Sequence, residues 1–372
     1  MKIAYCLTWD FGNADGVERK VFDQVSVWKS AGHEVTVFVV GSQAPYREWS
    51  VAVKPINVHS GPSFLRRIRE WSELVDQVES FNPDVVYFRN QTWYPPFSRI
   101  LKKFPVVAEL NSMDLQNAEV LAQVNLKQKL RRPYFLATRG IVFKGVRGMV
   151  GVTSEMTHCS QYAPFKKPMI SIANTISLKD YEVLPPSGNK RPKLILVGTG
   201  GKRRADQHWQ GVDKVAEFAE QTQGILDFAV VGNGLAEGVP LPANVEAHGW
   251  QDLAGLQRLY SEADVAFGTV ADYRRGMGET SSLKSRQALA FGLPILYGGN
   301  EAMFADYEGD IPEWALQLPN MADNLLANRD QIIAFANEWM GKRVPHAASR
   351  EFIEAEVLER KRLAFMAEVA GV

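Results

Sequence analysis

The residues best equipped for chemistry lie in one stretch, 279–294, which reads ETSSLKSRQALAFGLP. Glu279 stands in a polar, small-residue loop with Gly276, Gly278, Ser281 and Ser282. An apolar-faced helix follows, and Gly292 and Pro294 stop it. A helix start gathers backbone N–H groups that lack intrahelical partners, and Lys284 and Arg286 lie one turn in. That combination can hold phosphate. Glu279, just outside it, offers a carboxylate to a polyhydroxylated group beside the phosphate. A nucleotide sugar has both parts.

A second cluster, Lys202, Arg203 and Arg204, follows the glycine-rich run Gly198-Thr-Gly200-Gly201. Cations on a flexible loop after a strand can meet a diphosphate as it becomes a leaving group, and such charge stabilisation is often the largest catalytic contribution. Gly232, Gly234 and Gly238 imitate a dinucleotide fingerprint. Their spacing is imperfect and Pro240 and Pro242 interrupt any helix, so the segment reads as a loop that contacts a base or ribose. Near the N-terminus, Asp15 and Gly16 open a helix whose first turn carries Glu18. Glycine there lets backbone approach a diphosphate closely. The histidines show no metal-ligand spacing, so no metal is expected.

These groups need strands and helices to position them. Short β-branched runs at 3–7, 34–40, 85–88, 106–109 and 148–152 read as buried parallel strands, with a helix over 16–31 ended by Gly32. The pattern restarts at 194–198, 228–232, 263–267 and 294–297, with helical segments at 213–221, 252–261 and 282–290. Between the halves, 184–192 is rich in Pro, Gly and charge and reads as a linker. The sequence therefore predicts two α/β domains, 1–183 and 193–345. Residues 346–372 are left as a C-terminal segment that can return to the first domain, with one long amphipathic helix over 350–370. Doubly wound sheets bind ligands at strand C-termini.

At 372 residues, two domains of ordinary size are expected. Lysine plus arginine equals aspartate plus glutamate at 42 each, so no global charge bias favours nucleic acid. The two cysteines, Cys6 and Cys159, are far apart and suggest neither a disulfide framework nor zinc; a reducing cytoplasm fits. The N-terminus reads as a first core strand rather than a leader, and no apolar run is long enough to span a bilayer.

The residues also carry a resemblance. Gly16-Val-Glu-Arg19 with Ala31-Gly-His-Glu-Val35, then Pro83-Asp-Val-Val-Tyr87, Val230-Val-Gly-Asn-Gly234, and the Glu-x7 element with its trailing Ala-x-Gly-x-Pro at 279–294 are similar to the retaining nucleotide-sugar glycosyltransferases of family 4. The resemblance implies an α/β GT-B fold of two Rossmann-like, doubly wound domains facing a central cleft. It implies transfer of a sugar from a UDP- or GDP-linked donor to an acceptor hydroxyl with retention, in polysaccharide or glycolipid assembly and without a metal. Departures stand where the family has a second glutamate (Gln287), a basic residue (Gln210) and a histidine (Asn111). Glutamine still accepts a hydrogen bond but without charge assistance.

Residues and resemblance together nominate Glu279, Lys202, Arg203 and Asn111 as catalytic. Gly16, Gly198, Gly200, Arg204, Gly232, Gly234, Ser281, Ser282, Leu283, Lys284 and Gln287 are expected at the donor, and Asp15 and Glu109 on the acceptor side. Residues 126–147 hold many lysines and arginines and no acid, interleaved with Tyr134, Phe135, Leu136 and Phe143, and 64–69 is similar. Basic amphipathic surface favours anionic lipid, so peripheral contact with the inner face of a membrane is expected. A nucleotide-sugar epimerase, an NAD enzyme resting on 232–238 and a binding protein without transfer activity are the alternatives.

Overall fold

The computed structural model describes residues 1–9, 16–41, 49–56, 63–90, 92–124, 126–198, 209–232 and 241–372. The chain divides into two compact units, Met1–Thr175 with Ala355–Val372, and Ile176–Glu354.

The first unit is built on a parallel sheet of β1 (Lys2–Thr8), β2 (Glu34–Val40), β3 (Ala52–Ile56), β4 (Val85–Arg89), β5 (Val106–Leu110), β6 (Gly148–Gly151) and β7 (Met169–Ser171). Its order is β3-β2-β1-β4-β5-β6-β7. The central strands are buried along nearly their whole length, which is why they read as continuous apolar runs rather than alternating ones. The sheet order reverses between β1 and β4. A ligand crevice opens beyond the strand C-termini at such a switch point. Helix Gly16–Ser30 follows β1, and the C-terminal helix Ala355–Ala370 packs in the same core through Leu363, Phe365 and Met366.

The second unit holds a parallel sheet of β8 (Lys193–Val197), β9 (Asp227–Val231), β10 (Val245–Ala247), β11 (Val265–Phe267), β13 (Ile295–Gly298) and β15 (Ala315–Leu318). Its order is β10-β9-β8-β11-β13-β15, so the switch point lies between β8 and β11. Two short strands, β12 (Glu279–Thr280) and β14 (Asn300–Glu301), form a separate parallel pair. Helix Leu283–Ala290 ends at Phe291, and Gly292 follows with φ +85°. The Leu293 N–H then reaches back to the Ala288 carbonyl at 2.9 Å, a left-handed helix stop that glycine adopts without strain.

Several sequence expectations change here. Residues 350–370 are not one helix: Glu354 is extended, pairs with Ile176, and separates helices His346–Ile353 and Ala355–Ala370. Residues 184–192 are not a free linker. Buried Asp264 accepts from Ser187 Oγ, from Asn189 Nδ2 at 2.8 Å and from the Lys193 N–H at 2.9 Å, and the Leu184 N–H donates to the Phe291 carbonyl. The segment therefore belongs to the second unit, as do residues 176–183. Four strands carry no clear sequence signal: β3 contains Pro55, and β7, β10 and β15 are short.

Gly232 shows how tightly the strand ends approach in the second unit. Its φ is +102°, and a Cβ there would overlap the Gly198 carbonyl oxygen. Gly232→Ala is expected to cost about 1–3 kcal/mol, read as a lowered midpoint in denaturant unfolding; unchanged stability would mean the two loops separate freely.

Candidate active site

In the first unit the site grows from one buried carboxylate. Glu109, near the end of β5, is fully buried. Its Oε1 accepts from Lys20 Nζ at 2.8 Å and Tyr87 OH at 3.1 Å; its Oε2 accepts from Asn111 Nδ2 at 2.9 Å and Tyr5 OH at 3.4 Å. Arg89 Nη1 at 3.6 Å and Arg362 Nη1 at 3.7 Å add charge. Burial alone would raise this carboxyl, but attraction to Lys20, Arg362 and Arg89 outweighs it and holds the group well below the usual carboxylate range. Burial also pushes Lys20 down to about 8, against the pull of Glu109. Lys20 Nζ donates to Asn111 Oδ1 at 2.9 Å, so the Asn111 amide is gripped at both ends. Helix Ala355–Ala370 closes the network: Arg362 donates to Tyr87 OH at 2.7 Å and pairs with Glu359, which accepts from Trp28 Nε1 at 3.0 Å.

Glu109 thus acts as a positioning group. It is sealed from any acceptor, while Asn111, half-buried, is the member of the pair that a ligand can reach.

In the second unit Glu279 is not in a loop but in β12, paired with β14, and only 6% exposed. The start of helix Leu283–Ala290 also differs from the expected open anion site. The Ser282 N–H donates to Glu301 Oε1 at 3.3 Å, and Arg286 Nη1 meets Glu301 Oε2 at 2.5 Å, both side chains being fully buried. An internal carboxylate therefore fills the place foreseen for phosphate at Ser282 and Arg286. Ser281 and Leu283 are half-buried beside it, and Gln287 is half-buried one turn further.

Lys284 is different. Its Nζ is buried and has no hydrogen-bond partner among the described residues. Burial pushes it down to about 7, with Asp272 pulling up and Arg275 pushing down. Asp272 does not complete it: the two make no hydrogen bond, and Asp272 accepts instead from Arg275 Nε at 2.8 Å and Thr269 Oγ1 at 2.5 Å. Arg275 in turn stacks 4.9 Å from the Trp209 ring. A buried, unpartnered ammonium is costly and an incoming anion would relieve it. Gly198, at the end of β8, is packed against the Gln210 side chain, and Gly232 against Gly198. Gly16 begins its helix in the first unit and is exposed. Lys202, Arg203, Arg204, Gly200, Gly234 and Asp15 lie outside the described residues.

Sequence reasoning missed Lys20, Arg89, Arg362, Glu359, Asp272 and Arg275. A signal was present for some of them. Arg89 and Glu109 end or interrupt runs of otherwise apolar strand residues, and a charge so placed needs buried partners.

With this geometry in hand, the likenesses to known proteins can be read. Residues 14–167 match Glycosyltransferase Family 4. That match spans less than half of the chain, and the two-unit parallel α/β architecture is the GT-B fold. Its fold is similar to a glycosyltransferase from Rickettsia africae ESF-5 at 13% identity, with 99% and 98% of the two chains covered and a TM-score of 0.64. WaaG, a glycosyltransferase involved in lipopolysaccharide biosynthesis, aligns at 15% identity over 98% and 99%, TM-score 0.60. An α-glucosyltransferase in complex with UDP-glucose and DNA aligns at 9% over 99% of both chains, TM-score 0.63. At these identities the likeness concerns the fold. No curated protein matches the chain in sequence.

Lys284 gives a stability prediction with a definite sign. Its folded pKa, about 7, lies below the ordinary lysine value of 10.5, so between those values the unfolded chain binds more protons. Stability from this group therefore rises as pH goes from about 7 to 10. Lys284→Met is expected to raise the melting temperature of the ligand-free protein at pH 7 and to flatten that rise. A destabilised variant would mean that Lys284 is already paired.

Proposed function

We propose that this protein is a family-4-type glycosyltransferase that moves a sugar from a UDP- or GDP-linked donor to an acceptor hydroxyl, keeping the anomeric configuration, in bacterial-type polysaccharide or glycolipid assembly. The observation that carries the donor reading is the buried, unpartnered Lys284 ammonium, a few residues past Glu279 in the unit whose switch point follows β8 and β11. Support comes from the family-4 match and from structural neighbours that include an α-glucosyltransferase with UDP-glucose and an enzyme of lipopolysaccharide biosynthesis. In this reading the second unit binds the donor and the first binds the acceptor. Lys284 neutralises the diphosphate, with Lys202, Arg203 and Arg204 as the further cations. Glu279 accepts a hydrogen bond from a sugar hydroxyl, and Gln287 accepts one from the ribose. The sugar's bond to the diphosphate oxygen breaks, its bond to the acceptor oxygen forms, and the acceptor proton leaves on the diphosphate. No protein base and no metal is needed, and most of the rate comes from positioning and charge stabilisation.

Membrane contact belongs to the same proposal. Along helix Leu126–Gly145 the residues Leu126, Leu130 and Ile141 are exposed on one stripe, at 73%, 74% and 39%, and lysines 127, 129 and 144 are exposed beside them. Phe64, exposed at the start of helix Ser63–Phe81, packs edge-on against Tyr134, which joins the two basic segments into one surface. Apolar side chains ringed by cations suit an anionic lipid surface. No helix among the described residues is long and apolar enough to cross a membrane.

UDP or GDP is expected to raise the melting temperature and NAD is not, because a ligand that binds only the folded state stabilises it. In Lys284→Met that shift should shrink or vanish. Glu279→Ala should lower kcat/KM for transfer by roughly 10- to 100-fold, the worth of one hydrogen bond to a charged group. Full transfer by that variant, or melting shifts with NAD alone, would overturn the donor reading. Product analysis by NMR reads retention, and sugar epimerised without any acceptor would favour an epimerase. For the membrane, flotation with vesicles containing anionic lipid should carry the protein at low salt, and the double variant Leu126→Glu/Leu130→Glu should stay behind. Flotation unaffected by both salt and that variant would count against this surface.

A further inference from the structure

The buried network of the first unit contains more positive charge than it can use. Lys20, Arg89 and Arg362 face only Glu109 and Glu359 among the groups linked in it. A carboxylate offers about four acceptor sites. Those of Glu109 are taken by Lys20, Tyr87, Asn111 and Tyr5 at 2.8–3.4 Å. Those of Glu359 are taken by Arg362 through two nitrogens, by Trp28 and by Thr175. Arg89 is left over. Its Nη1 is buried without a hydrogen bond and lies 3.6 Å from an already occupied Glu109 oxygen. Its guanidinium rests 5.5 Å from the Trp9 ring, and its side chain is 16% exposed.

The position adds a second, independent argument. Trp9 follows β1 and Arg89 ends β4, and these are the neighbouring strands between which the sheet order reverses. Asn111, held at both ends by Lys20 and Glu109, is half-buried just past β5, the next strand over. A planar cation is thus set at a ligand crevice against an aromatic ring, and it faces the same Glu109 oxygen that accepts from the Asn111 amide.

We propose that this β1/β4 crevice binds an anionic group of the acceptor, a phosphate or a carboxylate, with Arg89 as its cation and Asn111 as a neutral hydrogen-bonding partner. The proposal rests on the assignment of the acceptor to the first unit. It narrows the acceptor to a charged molecule: a phosphate-bearing glycan or lipid carrier, or an acidic sugar. The anion meets the Arg89 guanidinium and brings the network to neutrality. An uncharged acceptor would leave the guanidinium unsatisfied, so the site discriminates against it.

The test is calorimetric titration of the full-length protein, with UDP or GDP kept saturating so that any phosphate site in the second unit is filled. The probes are glycerol 1-phosphate, glucuronate and, as an uncharged control, glycerol. Saturable binding of at least one anion and none of glycerol is expected, and the anion that binds tells phosphate from carboxylate. Arg89→Met should weaken that binding at least tenfold, and Arg89→Lys less, with nucleotide affinity unchanged in both. Absence of anion binding by the wild type, or equal binding by Arg89→Met, would overturn the proposal. Nucleotide affinity is measured separately, so a failure of the donor reading is seen on its own. Should Arg89→Met not fold, peptide mapping after phenylglyoxal treatment of the wild type decides: the bound anion must protect Arg89, and unprotected modification refutes the site.

Discussion

The first unit depends on one constraint, that the Glu109 carboxylate is buried and must be surrounded. Nothing in a parallel sheet supplies donors at that point, because backbone groups are spent on the strand ladder. The donors therefore come from elsewhere: Lys20 from the helix after β1, Tyr5 and Tyr87 from the neighbouring strands, Asn111 from the next loop. The C-terminal helix returns with Arg362 and Glu359, and Glu359 reaches Trp28 on the helix after β1. Separate segments of chain are thereby tied to one buried point on β5. Breaking such a buried ionic network from one side costs about 3–5 kcal/mol, so its geometry is fixed by stability and is available to function without further adjustment.

The second unit handles charge differently. Its fully buried pair, Arg286 with Glu301, anchors the start of helix Leu283–Ala290 and uses up the helix-start donor at Ser282. That takes the Ser282 N–H and Arg286 out of the anion site the sequence suggests and leaves Lys284. Asp272 is engaged by Arg275 and Thr269, so it tempers the Lys284 charge without satisfying it. A protein selected for stability alone would place an apolar residue here. Retaining lysine makes sense when an anion visits the site.

How much was legible follows from the same physics. Buried parallel strands announce themselves as apolar runs, so the central strands of both sheets and the restart of the pattern near residue 194 were readable. The edge strands β3, β7, β10 and β15 were not, since an edge strand needs little apolar patterning and tolerates Pro55. β7 and β10 are also only three residues long, and pairing with a neighbour defines them more than composition does. Asp252 was readable as a helix start and does cap it, accepting from the Gly255 N–H at 2.8 Å. At the site, Lys284 was nominated from residue type and order, and Glu109 and Asn111 through the family resemblance. Their roles were not visible, because whether Ser282 and Arg286 are open to a ligand is decided by Glu301, a residue on another strand that no local pattern links to them. Likewise the break at Glu354 depends on pairing with Ile176, far away in sequence.

Both units arrive at the same construction by different residues. In each, a buried carboxylate, Glu109 within β5 and Asp272 a few residues after β11, is held by its own neighbours, Glu109 by Lys20 and Asn111, Asp272 by Arg275 and Thr269. In each, one further cation close to that carboxylate is left without a hydrogen bond among the described residues, at Arg89 Nη1 and at Lys284 Nζ. Each carries a desolvation cost, at the end of strand β4 in one unit and in the first turn of helix Leu283–Ala290 in the other. What they share is a charge held ready where doubly wound sheets take ligands, with the nearby carboxylate serving to orient it and limit its cost. A transfer enzyme that must hold an activated donor and a charged acceptor needs two such places, and the difference between them is chemically apt. The titratable lysine can lose its proton while the donor site is empty. The arginine offers a planar fork and selects its anion by shape as well as charge.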